Sequence, residues 1–227
     1  MARAVKKPLG GVRGRVGDVI YRYMNGRTFI SVYNDEVNIS YSPNSIKNRS
    51  KFGTTIKFAK AVNSVNDLNK IWNFSSEPGR SAYTKIFKSN HLSIQPDLVS
   101  PHSKITPVGV GSKVESFELN PDNVTIKIKI DRSTEECLLP PYVAHFVVFL
   151  RNPDNPEIHE NIAFAFASES VLSETPDEYQ TIKGNFIDQY IRLISYFKNA
   201  TVFFAITKTD SKLYEWLTTE SKEFVLS

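Results

Sequence analysis

The stretch that decides the fold is YVAHFVVFL, residues Tyr142–Leu150. The run is almost continuously apolar and lacks the apolar–polar alternation of a half-exposed strand. A short apolar run of this kind is typical of a central strand buried on both faces. The residues around it must therefore supply covering layers.

Short β-rich segments separated by turn residues surround this strand from about Val114 onward. Val124–Ile130, VTIKIKI, alternates strictly, which predicts a strand with one face toward a core and the other toward water. Thr201–Ile206 is a further core strand, whereas Phe186–Phe197 fits a strand or a helix. The pattern favours an Ig-like antiparallel β-sandwich over residues 114–227.

The N-terminal region predicts a β-hairpin. Val19–Met24 alternates, Asn25-Gly26 is a strong signal for a two-residue turn, and Thr28–Val32 returns as the second strand. A bare two-stranded hairpin is marginally stable in water. The hairpin is therefore expected to lean on another element or on a neighbouring subunit.

Short helices should follow the hairpin. Ser42-Pro43 is typical of a helix start, and Ala82–Phe87 predicts a later short helix. The predicted fold is α+β: residues 1–94 form a basic arm, hairpin and helices, 95–113 a proline-spotted linker, and 114–227 the Ig-like domain.

The charge is unevenly distributed along the chain. Residues 1–90 hold 16 Lys and Arg against 5 Asp and Glu, and residues 91–227 hold 12 against 19. Opposite fields of this kind attract a polyanion or favour association between copies. No apolar run is long enough to span a bilayer, and the basic N-terminus lacks the apolar core of a signal peptide.

No constellation for catalysis or metal binding stands out. The four histidines stand singly without metal-ligand spacing, and Cys137 lies in an acidic setting that disfavours a reactive thiolate. Gly11, Gly14 and Gly17 lack the spacing of a nucleotide-binding loop. We interpret these glycines as flexible positions that allow close approach of backbones. We expect a non-enzymatic protein with no catalytic residue, metal or cofactor.

The basic and aromatic residues near the N-terminus are the candidate partner-binding set. Arginines neutralise phosphates or acidic protein surfaces, and interleaved aromatic rings stack on bases or pack into an interface. The candidate assembly residues are Arg13, Arg15, Tyr21, Arg22, Tyr23, Arg27, Arg49 and Phe52.

The glycine-spaced strand, the Asn25-Gly26-Arg27 turn and Arg49-Ser50-Lys51-Phe52-Gly53 resemble the opening of an uncharacterised domain family of Bacteroidota and their phages or prophages. The same residues are similar to the start of short phage virion proteins. Over the second half the resemblance is architectural, an Ig-like region in which Phe149–Pro153 matches a strand that ends in an Asn-Pro turn. The resemblance implies a virion or other multimeric structural role and no enzymatic activity.

The leading hypothesis is a structural subunit of a phage virion, a head, connector or tail accessory protein that forms homo-oligomers and contacts other structural proteins. Its expected place is the virion, or the host cytoplasm before assembly. One alternative is a nucleic-acid-binding accessory protein that uses the basic N-terminal region. Another is a surface-displayed adhesive or ligand-binding β-domain.

Overall fold

The structure, a computed structural model, describes residues 14–24, 27–33, 39–109, 113–120, 122–129, 142–155, 160–170, 179–209 and 214–226. Its fold is mixed α+β, with four helices and several antiparallel sheets among these residues. The chain divides into two compact units, Met1–Ser42 and Pro43–Ser227.

The first unit contains a three-stranded antiparallel sheet in the order β1-β2-β3. β1 pairs with β2 across a tight turn at Gly17 and Asp18, and the pairing of β2 with β3 runs from Val19 with Val32 to Met24 with Arg27. The strands are β1 Gly14–Val16, β2 Val19–Met24 and β3 Arg27–Val32.

The second unit begins with three helices and ends with a β-rich half that carries a fourth. The helices are α1 Pro43–Ser64, α2 Asn66–Phe74, α3 Ala82–Asn90 and α4 Asp188–Ile194. The strands are β4 Ile94–Gln95, β5 Leu98–Val99, β6 Lys113–Leu119, β7 Asn123–Lys129, β8 Val143–Pro153, β9 Ile162–Ser170, β10 Tyr179–Asn185, β11 Phe197–Thr209, β12 Tyr214–Trp216 and β13 Glu220–Val225.

A five-stranded antiparallel sheet organises the second unit. It runs β12-β11-β8-β9, with β13 also paired to the long strand β11. β8 lies between β9 and β11, and its residues from Ala144 to Leu150 are all buried. The prediction of a central strand with two covered faces is confirmed.

One hydrophobic core lies on the first face of this sheet. Alternate residues of β8 and β11, including Phe146 and Phe204, meet side chains of a second sheet in the order β10-β7-β6. Val124 and Ile126 of β7 point into this core, as the VTIKIKI alternation predicts. α4 also contributes to it, which resolves the open choice at residues 186–197 into a helix followed by a strand.

The second core lies on the opposite face, under the helices. Phe149 and Phe203 of the large sheet meet Phe58 of α1 and Trp72 of α2. The buried residues of α1 begin only at Thr54, so its N-terminal half lies outside the core. None of the described helices is long and apolar enough to cross a membrane.

Where the structure describes it, at residues 95–109 and 113, the segment predicted as a linker is part of the packed second unit. β4 and β5 pair within it, and Ile105 is fully buried. Trp72 donates its indole N–H to the Ile105 carbonyl at 2.7 Å, and Thr219 accepts the backbone N–H of Ile105 at 2.9 Å. These contacts join α2 to the loop between β12 and β13.

The observed boundary also differs from the predicted division. Sequence analysis groups the helices with the N-terminal strands, whereas the structure groups them with the β-rich half. The reason is that α1 and α2 bury their apolar residues on the large sheet, a long-range contact that no local pattern encodes.

Candidate assembly surface

The sheet of the first unit has one face without charged residues. Directly paired residues of an antiparallel sheet share a face, so the register assigns each side chain. Tyr21 pairs with both Gly14 and Ile30, and Val19 pairs with both Val16 and Val32. We call this the apolar face; its members are Gly14, Val16, Val19, Tyr21, Tyr23, Thr28, Ile30 and Val32.

The opposite face carries the arginines. Ile20 pairs with Arg15 and with Ser31, and Arg22 pairs with Phe29. Arg15, Arg22 and Arg27 are exposed and are the charged residues of the three strands. We call this the basic face; its members are Arg15, Ile20, Arg22, Arg27, Phe29 and Ser31.

The apolar face is open to water. Val16, Ile30 and Val32 are 61%, 59% and 78% exposed. No described residue of the first unit is buried, although the second unit has two hydrophobic cores. The largest exposed apolar patch of a monomer is often a functional site, and patches above a few hundred Å² mark sites of interaction. The sheet is therefore the candidate assembly surface.

Gly14 and Gly17 have a conformational role in this sheet. Their φ angles are +110° and +59°, a region that residues with a side chain rarely adopt. A Cβ atom built on either would meet no atom within 4 Å. Backbone conformation thus explains both glycines, and close approach of a second molecule stays a prediction.

Arg15 is held by its own unit. Its Nε donates to the Gly17 carbonyl at 2.8 Å, and its guanidinium lies 3.6 Å from the centre of the Tyr33 ring. A cation over an aromatic face is favourable. The turn therefore fixes the direction of one of the three arginines of the basic face.

The other predicted residues fall in several places. Tyr21 and Tyr23 are half-buried on the apolar face, and Arg22 and Arg27 are exposed on the basic face. The candidate set thus divides between two faces of one sheet, as the alternation of Val19–Met24 predicts for Tyr21, Tyr23 and Arg22. Gly11 and Arg13 lie outside the described residues.

Arg49 and Phe52 belong to the second unit, in the N-terminal half of α1. Arg49 is exposed, and Phe52 is half-exposed with its ring against Phe87, at a centroid distance of 5.1 Å, and near His91. Sequence analysis missed Val16, Ile30 and Val32. The alternation of Thr28–Val32 contains the signal that places Ile30 and Val32 on one face of β3.

The buried histidine of the second unit is a structural group. His145 lies on β8, with Nε2 2.8 Å from the Thr207 hydroxyl and Nδ1 3.0 Å from the Ser168 hydroxyl. Burial lowers its pKa to about 4, and the carboxylate of Asp67, 3.9 Å away, opposes this shift only in part. A neutral imidazole with both nitrogens bonded needs no ligand.

The other described surfaces have weaker features of a binding site. Among the described residues, no group of three or more His, Cys, Asp or Glu side chains is placed to hold a metal ion. A shallow depression beside α4 is lined by Asp188, Gln189, Arg192, Leu193 and Tyr196. These side chains are exposed or half-buried, so the depression holds no desolvated polar group of the kind that orients a small ligand.

No protein-family model matches the chain, and no curated protein matches it significantly.

Proposed function

We propose that the protein is a non-enzymatic structural subunit of a multimeric assembly, of the kind found in phage virions. The sheet β1-β2-β3 is the element through which one copy attaches to its neighbour. The second unit is the body of the subunit, which is displayed on the assembly or packed within it.

One observation carries this proposal: the sheet has an apolar face, and no described residue of its unit is buried. Burying apolar surface gains roughly 25 cal/mol per Å². An exposed face of valine, isoleucine and tyrosine therefore favours attachment to a further surface.

Two finer features belong to the same proposal. An Ig-like sandwich for the β-rich half is supported by the two antiparallel sheets that share one core. An N-terminal hairpin closed by Asn25-Gly26 is supported by the pairing of Met24 with Arg27, which leaves two residues for the turn. The family resemblance at residues 9–60 supports the virion assignment.

The test compares the full chain with a variant that consists of residues 43–227. Both hydrophobic cores lie within 43–227, so this variant is expected to fold alone. We expect sedimentation velocity to show concentration-dependent association of the full chain and a monomeric truncated chain. Circular dichroism of the truncated chain is the control for folding. Equal association states for the two chains would contradict the proposal.

The basic face supports a second candidate function, binding of single-stranded nucleic acid. Arg22 and Arg27 are exposed on the same face as Phe29, and arginines with an aromatic ring bind phosphates and stack on bases. Fluorescence anisotropy with an oligothymidylate should then show an affinity that falls steeply with salt.

The matched variants for this candidate remove one charge each. Arg22→Gln and Arg27→Gln should each weaken binding and reduce the salt dependence by about one released counterion. Lys183→Gln, at an exposed position of β10, is the control. An absence of binding at low salt eliminates this candidate and leaves the structural role untouched.

A further inference from the structure

We propose that the apolar face of the sheet β1-β2-β3 binds the same face of a second copy of this chain. The inference rests on the proposed function and names the partner and the symmetry of the contact. The two copies form a two-layered sandwich with the basic faces outward.

The chemistry of the two faces favours this arrangement. The apolar face has side chains of valine, isoleucine, tyrosine and threonine and no formal charge, so it is compatible with its own copy. The basic face presents Arg15, Arg22 and Arg27, so two basic faces would repel. Apolar-to-apolar stacking therefore buries the surface that water disfavours and leaves every arginine of the strands solvated.

The second unit offers no other sheet face for this purpose among the described residues. Both faces of the five-stranded sheet are covered, one by the sheet β10-β7-β6 and the other by the helices. The outward side of β10-β7-β6 presents exposed Glu118, Lys127, Thr181 and Lys183. An equivalent sheet on a second copy is the matching apolar surface that the chain itself supplies.

The area of the apolar face sets the expected affinity of the contact between two copies. Strands lie about 4.8 Å apart and rise about 3.3 Å per residue, so strands of three, six and six residues cover roughly 240 Å² in projection. Two such faces, roughly 500 Å² together, are smaller than the interfaces of stable complexes, so this contact alone gives weak, concentration-dependent association. The contact is thus suited to an assembly in which further contacts add avidity.

The first test places one charge on either face of the same strand in the full chain. Ile30→Asp introduces a carboxylate into the apolar face, and Ser31→Asp introduces the same carboxylate one residue later on the basic face. Ile30→Asp should raise the dissociation constant of the pair about 100-fold or more, because the carboxylate would have to be desolvated. Ser31→Asp should leave it within about threefold. Equal effects of the two variants would overturn the proposal.

The second test distinguishes a face-to-face pair from a head-to-tail contact. Fluorescently labelled Ile30→Asp is mixed with unlabelled wild-type chain and followed by fluorescence-detected sedimentation. A face-to-face contact requires two intact faces, so the labelled variant should stay monomeric beside wild-type pairs. If the apolar face binds elsewhere on its neighbour, the variant keeps that receiving surface and appears in mixed pairs, which overturns the proposal.

Failure of this inference is distinct from failure of the proposed function. If the full chain associates, residues 43–227 do not, and Ile30→Asp still associates, the first unit drives assembly through another surface. If the full chain and residues 43–227 associate equally, the attachment role of the first unit fails as well. Far-ultraviolet circular dichroism of each variant shows whether its fold is retained.

Discussion

β8 and β2 are both inner strands of antiparallel sheets, but they differ in what covers them. β8 is buried from Ala144 to Leu150, with apolar side chains on both faces and a layer of the same unit on each. β2 has apolar residues on one face and arginine on the other, and none of its described side chains is buried. A strand with two apolar faces needs a packed layer on each face. β2 needs a layer on its apolar face only. The comparison shows which sheet is completed within its own unit and which presents an open face.

The largest expected effect is a difference in the free energy of unfolding between a variant of the five-stranded sheet and a variant of the first sheet. Phe203→Ala removes a fully buried ring that lies 5.7 Å from the ring of Phe58, and large-to-small changes of this kind cost about 3–5 kcal/mol. Ile30→Ala, at a position 59% exposed, should cost less than about 1 kcal/mol when the chain is monomeric. Urea denaturation at low protein concentration measures both. Similar costs would mean that the sheet of the first unit is buried in the monomer.

The next effect concerns pH and the buried strand. The pKa of His145 is about 4 in the folded chain, below its value of 6.5 when unfolded, so the unfolded state binds the proton first. The stability from neutral His145 is full above pH 6.5 and is lost as the pH falls toward 4, by up to about 3 kcal/mol.

The control for this pH effect is His145→Gln, which cannot titrate. Its stability should change less than that of the wild type between pH 6.5 and 4, in parallel urea titrations. An identical slope for the two chains would show that the pKa of His145 does not differ between the folded and the unfolded chain.

A smaller loss of stability is expected for a variant at the place where the helical layer joins the β-rich half. Thr219→Val removes the hydroxyl that accepts the backbone N–H groups of Ile105 and Thr106, both at 2.9 Å. Leaving these donors unpaired should cost about 1–3 kcal/mol, measured by urea denaturation. Thr181→Val, at an exposed position of β10, is the control and should stay within about 0.5 kcal/mol.

The smallest effect has the opposite sign. Gly53 lies inside α1 with no atom within 4 Å of a built Cβ, so Gly53→Ala should stabilise the chain by about 0.5–1 kcal/mol. Gly184→Ala is the matched contrast, because its Cβ would lie 2.6 Å from the Phe146 ring and must destabilise the body. Thermal unfolding of the two variants should therefore shift in opposite directions.

The sequence predicts the elements whose burial follows from a local pattern of apolar and polar residues. The apolar run at 142–150 indicates β8, and the alternation at 124–130 indicates β7. The start of α1 falls at Pro43, where the serine-proline pair indicates it. These predictions succeed because neighbouring residues alone decide them.

Features that depend on distant contacts were missed. The sequence predicts where α1 begins but not that its buried residues start only at Thr54, which leaves Phe52 half-exposed outside the core. The segment before β6 looks like a linker by its prolines, yet Trp72 and Thr219 hold its backbone. The alternation of Val19–Met24 predicts the two faces of β2, whereas the residues of β1 and β3 that join each face follow from the register between the strands.

The pairing of β11 with β8, β12 and β13 has a consequence for the order of events during synthesis. The three strands of the first unit end at Val32, so all of them have left the ribosome long before β11 is made. The five-stranded sheet must wait for residues 197–225, which include the partners on one side of β8. Nascent chains stopped before β11 should therefore be cleaved rapidly by protease in residues 143–170. The self-association that we propose for the first sheet could therefore begin between neighbouring nascent chains on one messenger, before either body is closed.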